Sequence, residues 1–175
     1  MEWIVEEISR VDESLVEQFA GISAATVYEA NGARGLLDPA IKPIYPGLTV
    51  YGPAVTVLVP ADDNLMLHKA VAVAGKGDVI VAATGGYRGC SFFGDVLAAG
   101  AQARGIAGLV IDGHVRDGKE IQALGFAVFA FGLNMRSPSK EKLGTINHPV
   151  IVSGTLVCPG AVSYTHLTLP TNREV

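Results

Sequence analysis

Residues 78–112 read DVIVAATGGYRGCSFFGDVLAAGAQARGIAGLVID. The apolar runs at the two ends of this stretch, 78–83 and 107–112, have the length and the Val, Ile and Leu content typical of buried strands. Between them, a glycine-rich loop at 84–94 leads into a helical segment at 95–104. A buried strand, a helix and a second buried strand predict two parallel strands joined by a right-handed crossover.

The flanking sequence extends this succession. A short helix that ends near Gly125 and a strand at 126–131 complete a βαβαβ pattern. This pattern predicts an α/β fold with a largely parallel central sheet. Upstream, helical spacing and capping residues predict helices at 11–20, 24–31 and 65–74, and residues 48–60 read as β structure interrupted by Gly52-Pro53.

Composition narrows the class of protein. With 175 residues, 49% of them apolar, the chain is long enough for one compact domain. Its 13 basic residues are scattered and the net charge is −4, so we expect no nucleic-acid partner. An acidic N-terminus and the lack of a long apolar window predict neither a signal peptide nor a membrane helix, so we expect a cytoplasmic protein. Cys90 and Cys158 lack metal-ligand spacing, and free thiols are favoured over a disulfide between them.

Two loops carry the residues suited to chemistry. They follow consecutive parallel strands, so we expect both at the same edge of the sheet, where α/β proteins bind ligands. The first loop ends at Gly94, and the backbone amides of residues 94–97 begin a helix, which favours an anion such as a carboxylate. The second offers Arg116, a fixed cation, beside Asp117, a hard oxygen ligand for Mg²⁺ or Mn²⁺, with Glu120 one turn further along.

Each of these residues also has a simpler interpretation. Asp95 could be only an N-cap or first-turn acid, and Asp117 and Glu120 could be first-turn acids on an exposed helix. Arg116 could be a surface ion-pair partner of little energetic value. The joint spacing therefore carries more weight than any single residue.

That spacing resembles a known signature. The pattern consists of Asp95, a gap of twenty residues, Arg116-Asp117, a gap of two residues and Glu120. It resembles the pattern of the class II pyruvate aldolases that act on 4-hydroxy-4-methyl-2-oxoglutarate. These enzymes share a family with the regulator of ribonuclease activity A. The resemblance covers about four-fifths of the chain, from Gly21 to Gly160. Besides the signature residues, the segments that resemble the family are 52–57, 63–70, 77–81, 103–108, 110–113 and 125–129.

The resemblance implies a swivelling β/β/α-type sandwich that assembles as a homotrimer or dimer of trimers. It also implies roles for individual residues. The amides of Gly94, Asp95, Val96 and Leu97 would hold a pyruvate carboxylate, Arg116 would contact the keto oxygen, and Asp117 would ligate a divalent metal cation, mostly through waters. A water held by Asp95 or Glu120 could act as the base.

The implied activity is a metal-dependent lyase. It would cleave 4-hydroxy-4-methyl- or 4-hydroxy-4-carboxymethyl-2-oxoglutarate-type 2-oxo acids to pyruvate, with oxaloacetate decarboxylation as a companion reaction. The alternative is a non-catalytic regulator that binds and inhibits a ribonuclease complex. The ribonuclease regulators lack the acidic residue at the position of Glu120, so its presence here favours the enzyme.

The C-terminal segment reads differently from the rest. Residues 162–175 resemble the translation of a transposase sequencing adapter, so we expect a single aldolase-like domain over 1–161, truncated at its C-terminus, followed by a non-native tail. Two histidines outside the signature remain open. His68 is predicted mid-helix, where it could line the site, although a packed or capping histidine is favoured, and His114 adjoins Arg116 as a lesser site candidate.

Overall fold

The computed structural model describes residues 3–164 and 167–168. The helices in this part of the chain are α1 (Glu13–Glu17), α2 (Ala24–Ala30), α3 (Leu65–Val73), α4 (Asp95–Ala103) and α5 (Gly118–Leu124). The strands are β1 (Lys42–Pro43), β2 (Tyr51–Leu58), β3 (Val79–Ala83), β4 (Ser91–Phe93), β5 (Gly108–Ile111), β6 (His114–Val115), β7 (Ala127–Ala130), β8 (Gly132–Leu133), β9 (Thr145–Ile146), β10 (Val150–Val152), β11 (Thr155–Val157), β12 (Val162–Tyr164) and β13 (Leu167–Thr168).

The main sheet is built around four parallel strands in the order β7-β5-β3-β2. Antiparallel strands complete both edges: β1 pairs with β7, while β9 and β12 pair with opposite ends of β2. The predicted crossovers are present, because α4 connects the β3 side of the fold to β5 and α5 leads from β5 towards β7. The four parallel strands therefore end at one common edge.

Strand β3 shows that the main sheet is covered on both faces. All five of its residues are buried. Ile80 and Ala82 pack into a cluster with apolar residues of α3, α4 and α5, whereas Val79, Val81 and Ala83 pack into a second cluster with the β10–β11 hairpin. Burial of one Val or Ile side chain contributes about 1.5–3 kcal/mol, so an apolar residue is favoured at every position of such a strand.

A second, smaller sheet forms next to the site edge. Strands β4, β6 and β8 are parallel, with Ser91 opposite His114 and His114 opposite Gly132. Phe92 and Phe93 of β4 are buried in the cluster that includes the three helices. The main sheet, the smaller sheets beside it and the helical layer confirm the α/β class and the β/β/α-type sandwich with a largely parallel central sheet.

The predicted boundaries were wrong in several places. Strand β2 runs through Gly52 and Pro53, where an interruption was predicted. Helix α1 is shorter than 11–20, because the Asp12 side chain accepts a hydrogen bond from the Ser14 amide and caps the helix one residue after Val11. The chain also leaves α-helical bonding after residue 17. The predicted loops at 84–94 and 113–116 contain β4 and β6, which are too short to show a strand periodicity in sequence.

The start of the predicted non-native tail takes part in the fold. Val162–Tyr164 form β12 against β2, and the buried Tyr164 ring lies 5.8 Å from that of Phe19 and 6.0 Å from that of Tyr51. Residues 165–166 and 169–175 lie outside the described part of the chain. The non-native origin of 162–175 stays a prediction. Among the described residues, no helix has the length and apolar character needed to cross a membrane.

Candidate active site

A cavity of about 190 Å³ lies at the carboxyl ends of the parallel strands. Gly94, Asp95, Val96, Leu97 and Arg116, five residues predicted for the site, all line it. They come from loops that follow β3 and β5, so the adjacent parallel strands bring together the two loops as expected. The cavity is small enough to suit a small organic acid.

Gly94 occupies its position for a steric reason. Its φ of −148° is extended backbone that any residue adopts. A Cβ atom there would, however, lie 2.5 Å from Asp117 Oδ2 and 3.1 Å from Arg116 Cγ and Nε. The absence of a side chain at Gly94 therefore allows the Arg-Asp pair to approach the start of α4.

The first turn of α4 presents backbone donors to the site. The Asp95 amide donates to Asp117 Oδ2 at 3.3 Å, and the Val96 amide donates to Asp95 Oδ1 at 2.7 Å. The Leu97 amide belongs to the same turn, where the helix has no preceding carbonyl to accept it. Asp95 thus acts as a first-turn acid, its simpler interpretation, and also lines the cavity. The Asp95 and Val96 amides are therefore already directed at carboxylate oxygens.

Arg116 is held on three sides. Its backbone amide donates to Phe93 O at 2.9 Å, which ties β6 to the residue before Gly94. Its Nε lies 3.2 Å from Asp117 Oδ2, and its Nη1 donates to Ser137 Oγ at 2.8 Å. The Arg116 side chain is still 38% exposed. Arg116 is therefore an ion-pair partner, its simpler interpretation, and an oriented cation in the cavity wall.

Asp117 lies beside the cavity rather than in its lining. It is the N-cap of α5 in a left-handed conformation, with φ 56° and ψ 41°. A non-glycine residue in this region is strained by about 1–3 kcal/mol, and such strain often accumulates at functional sites. Oδ2 takes the two long hydrogen bonds from Asp95 and Arg116, and no bond to Oδ1 is formed by the described residues.

The site also contains residues that the signature did not include. Asn64, Ser137 and Lys140 line the cavity. Asn64 is buried, donates from Nδ2 to Phe92 O at 2.8 Å, and has an Oδ1 without a partner among the described residues. Asn64 lies in a segment that carried the resemblance, whereas nothing in the local sequence marks Ser137 or Lys140 as site residues.

The two histidines differ. His68 lines the cavity rather than being only packed. Burial lowers the pKa of its imidazole, and the positive charge of Lys140 lowers it further. His114 is not part of the lining, and its buried Nδ1 has no hydrogen-bond partner in the described part of the chain.

Glu120 does not reach the cavity. It lies in the first turn of α5, is exposed, and makes no side-chain hydrogen bond or ion pair with the described residues. Asp117, three residues earlier, is the left-handed cap of α5 rather than one of its helical residues. The role of Glu120 in catalysis stays a prediction.

The donor set around Asp117 fits only one kind of metal site. No group of three or more His, Cys, Asp or Glu side chains suited to a metal occurs within residues 3–164. Mg²⁺ and Mn²⁺ need no such cage, because Mg²⁺ is commonly held by one or two carboxylates together with waters and substrate. The Asp117 carboxylate, with one oxygen that accepts no hydrogen bond from the described residues, fits that kind of ligand.

Comparisons with known proteins agree with the fold and the signature. The family model described as RraA-like, Aldolase/RraA, matches residues 17–165. A protein of Halalkalibacterium halodurans with the provisional name 4-hydroxy-4-methyl-2-oxoglutarate aldolase is 35% identical over 153 residues, covering 87% of this chain and 73% of its own length. One of Burkholderia multivorans with the same provisional name is 34% identical over 135 residues, covering 77% and 82%.

A solved structure similar to this chain is described as a member of a ribonuclease inhibitor family rather than as an aldolase. The Streptomyces coelicolor protein described as an unusual member of the RNase ES inhibitor RraA protein family matches with a TM-score of 0.80 and 25% identity, covering 92% of this chain and 87% of that one. The fold, the matched model and the relatives define a class of small α/β proteins that includes aldolases and ribonuclease inhibitors. This chain belongs to the RraA-like family.

Proposed function

We propose that this chain is a divalent-metal-dependent lyase that cleaves 4-hydroxy-4-methyl-2-oxoglutarate and related 2-oxo acids to pyruvate and also decarboxylates oxaloacetate. The observation that carries the proposal is the meeting of the α4 amino terminus and the Arg116 guanidinium in one small cavity. A 2-oxo acid has a carboxylate next to a keto oxygen, so an anion site next to a fixed cation matches its two polar ends.

Both proposed reactions break a bond to the same carbon. In the aldol cleavage, a base takes the proton of the 4-hydroxyl group, the C3–C4 bond breaks, and its electron pair goes to C3 to give the enolate of pyruvate. In the decarboxylation, carbon dioxide leaves from C3 and the same enolate results. Protonation of C3 then gives pyruvate. Either way, negative charge develops on the oxygen of the former keto group.

The residues of this chain have separate roles in that reaction. The amides of Gly94, Asp95, Val96 and Leu97 would bind the substrate carboxylate, which would replace the carboxylates that the Asp95 and Val96 amides now contact. Arg116, held by Ser137 and Asp117, would stabilise the developing enolate oxygen, where a fixed charge has most effect on rate. Asp117 would hold Mg²⁺ or Mn²⁺, which supplies electrophilic polarisation of the keto oxygen when bound.

Lys140 gives a reason to expect a second acidic group on the substrate. It lines the cavity, and its ammonium group has no hydrogen bond or ion pair with the described residues. A carboxylate on the far part of the substrate, as in the 4-substituted 2-oxoglutarates, would be a natural partner. Assembly into a homotrimer or dimer of trimers, in the cytoplasm, belongs to the same proposal.

The test is pyruvate release, followed with lactate dehydrogenase, from oxaloacetate and from 4-hydroxy-4-methyl-2-oxoglutarate. We expect release with Mg²⁺ that exceeds the protein-free rate and that excess chelator abolishes. Release that persists in chelator would contradict the metal dependence. No release from either substrate, with Mg²⁺ or Mn²⁺, would contradict the lyase and favour the second candidate, a ribonuclease regulator like the described Streptomyces coelicolor relative.

A further inference from the structure

The Asp63 carboxylate is a buried acceptor of several hydrogen bonds. The residue is 0% exposed. Oδ1 accepts from the Leu65 amide at 2.9 Å, and Oδ2 accepts from Ser139 Oγ at 2.7 Å, the Glu141 amide at 2.6 Å and the Lys142 amide at 3.0 Å. Burial alone would raise its pKa, but these hydrogen bonds together lower the pKa to about 2.

Three of the four donors belong to the segment 137–142. This segment has no helix and no strand beyond an isolated bridge between Asp63 and Ser139. It is aligned by the Asn64 amide, which donates to Ser139 O at 3.0 Å, and by the Ser139 amide, which donates to Asp62 O at 2.8 Å. The segment 137–142 is therefore fixed to the start of α3 mainly by hydrogen bonds to residues 62–64.

The same segment supplies two groups to the candidate site. Ser137 accepts the hydrogen bond from the Arg116 guanidinium, and Lys140 lines the cavity. Asn64, the neighbour of Asp63, is also in the lining and binds Phe92 O, one residue before the strand end at Phe93. A change at Asp63 would thus move Ser137 and Lys140 without removing any side chain from the cavity.

We propose that Asp63 is a positioning residue for the reaction: its buried carboxylate fixes the segment 137–142 and, through Ser137, the orientation of Arg116. The proposal rests on the lyase function proposed above. Asp63 does not line the cavity and is not a catalytic residue. Its effect on rate comes from geometry, because small displacements of groups that contact the transition state have large consequences.

The chain offers a matched control in Asp78. This carboxylate is 1% exposed, so it is as buried as Asp63, and it accepts three hydrogen bonds, two from the Arg10 guanidinium and one from the Gly75 amide. It lies at the opposite edge of the sheet, before β3, where none of its partners lines the candidate site. Asp63→Asn and Asp78→Asn therefore each remove one carboxylate charge from a buried, hydrogen-bonded position, the first near the candidate site and the second at the opposite edge.

The experiment compares steady-state kinetics, stability and amide hydrogen exchange of the two variants. We expect both to lower the urea midpoint, but only Asp63→Asn to lower kcat for oxaloacetate, by about 10- to 100-fold with a much smaller change in KM. We also expect faster exchange in 137–142 for Asp63→Asn alone. Equal losses of kcat in the two variants, or unchanged kcat in Asp63→Asn, would overturn the proposal.

Two further measurements keep the test decisive. If Asp63→Asn does not fold, Ser139→Ala removes one donor to the carboxylate and is expected to lower kcat in the same direction to a smaller extent, and an unchanged kcat would count against the proposal. A double-mutant cycle combines Asp63→Asn with Ser137→Ala. If Asp63 acts on Arg116 through Ser137, the losses of kcat from the two substitutions are not additive, whereas additive losses would overturn that part of the proposal. If the wild-type chain lacks lyase activity, the function fails, and hydrogen exchange in 137–142 still decides whether Asp63 positions the segment.

Discussion

The two edges of the parallel sheet both carry a cavity, and the larger one is not the better candidate for chemistry. The cavity at the amino ends of the strands has a volume of about 550 Å³ and is lined by Arg10, Asp78, Lys76, Tyr51 and neighbouring residues. The cavity at the carboxyl ends has about 190 Å³. Volume alone would favour the cavity at the amino ends of the strands.

The difference lies in how the polar groups are used. At the amino-end edge, Arg10 Nε and Nη2 both donate at 2.8 Å to the Asp78 carboxylate, which also accepts the Gly75 amide. At the carboxyl-end edge, a helix starts at the cavity wall and Arg116 keeps a partly exposed guanidinium. Parallel strands direct the following helix starts to their carboxyl ends, so backbone donors collect at that edge only.

The largest expected effect comes from the two arginines. Arg116→Ala removes the cation that would face the developing enolate, so kcat/KM for oxaloacetate should fall by more than about 10²-fold. Arg10→Ala leaves the buried Asp78 carboxylate without its ion-pair partner, so it should lower the free energy of unfolding by about 1–3 kcal/mol and leave kcat unchanged. Pyruvate-release kinetics and urea unfolding of both variants check this, and near wild-type turnover of Arg116→Ala would refute the role of Arg116.

The next effect concerns two glycines at α4. Gly94→Ala places a Cβ within 2.5 Å of Asp117 Oδ2, so it should displace the Arg116–Asp117 pair and lower kcat by about 10- to 100-fold. Gly100→Ala puts a Cβ at an ordinary 3.8 Å from Val71 Cγ1 within the helix, where it should preserve activity and raise stability by up to about 1 kcal/mol. Kinetics and thermal unfolding separate the two, and equal activities would contradict the steric role of Gly94.

A smaller effect is the pH dependence of stability from Asp63. Its folded pKa of about 2 lies below the ordinary value of 3.8, so the carboxylate stabilises the fold above pH 3.8 and loses this contribution as the pH falls towards 2. The difference corresponds to about 2 kcal/mol at neutral pH. We expect the stability gap between the wild type and Asp63→Asn, measured by urea unfolding, to narrow between pH 5 and pH 2.5. A gap that stays constant over that range would be evidence against the low pKa.

Sequence predicted the parallel core because its signals are local and strong. The run from Val79 to Ala83 is apolar throughout, which is what burial on both faces requires, and Gly94-Asp95 marks the start of α4. The short strands β4, β6 and β8 carry no such signal, since two or three residues show no period. Their pairing depends on partners about 20 residues away in sequence.

Only the part of the candidate site that is formed by the loops after β3 and β5 was predictable from the sequence. Gly94, Asp95, Val96, Leu97 and Arg116 were found because each follows a recognisable strand or begins a helix. Ser137 and Lys140 lie in a segment without regular structure, which hydrogen bonds to residues 62–64 bring to the cavity. The local sequence around Ser137 and Lys140 does not indicate these long-range hydrogen bonds. The role of Asp117 at the metal and that of Glu120 as a base stay predictions.

The most direct test of the account is to ask which edge of the parallel sheet binds an analogue of the enolate intermediate. Oxalate with Mg²⁺ resembles the enolate of pyruvate in charge and shape, and backbone amide NMR shifts report where it binds. The account predicts saturable shifts at residues 94–97 and 116–117 that Arg116→Ala abolishes, and none at residues 76–78. Shifts centred on residues 76–78, or none at either edge at saturating oxalate and Mg²⁺, would contradict it.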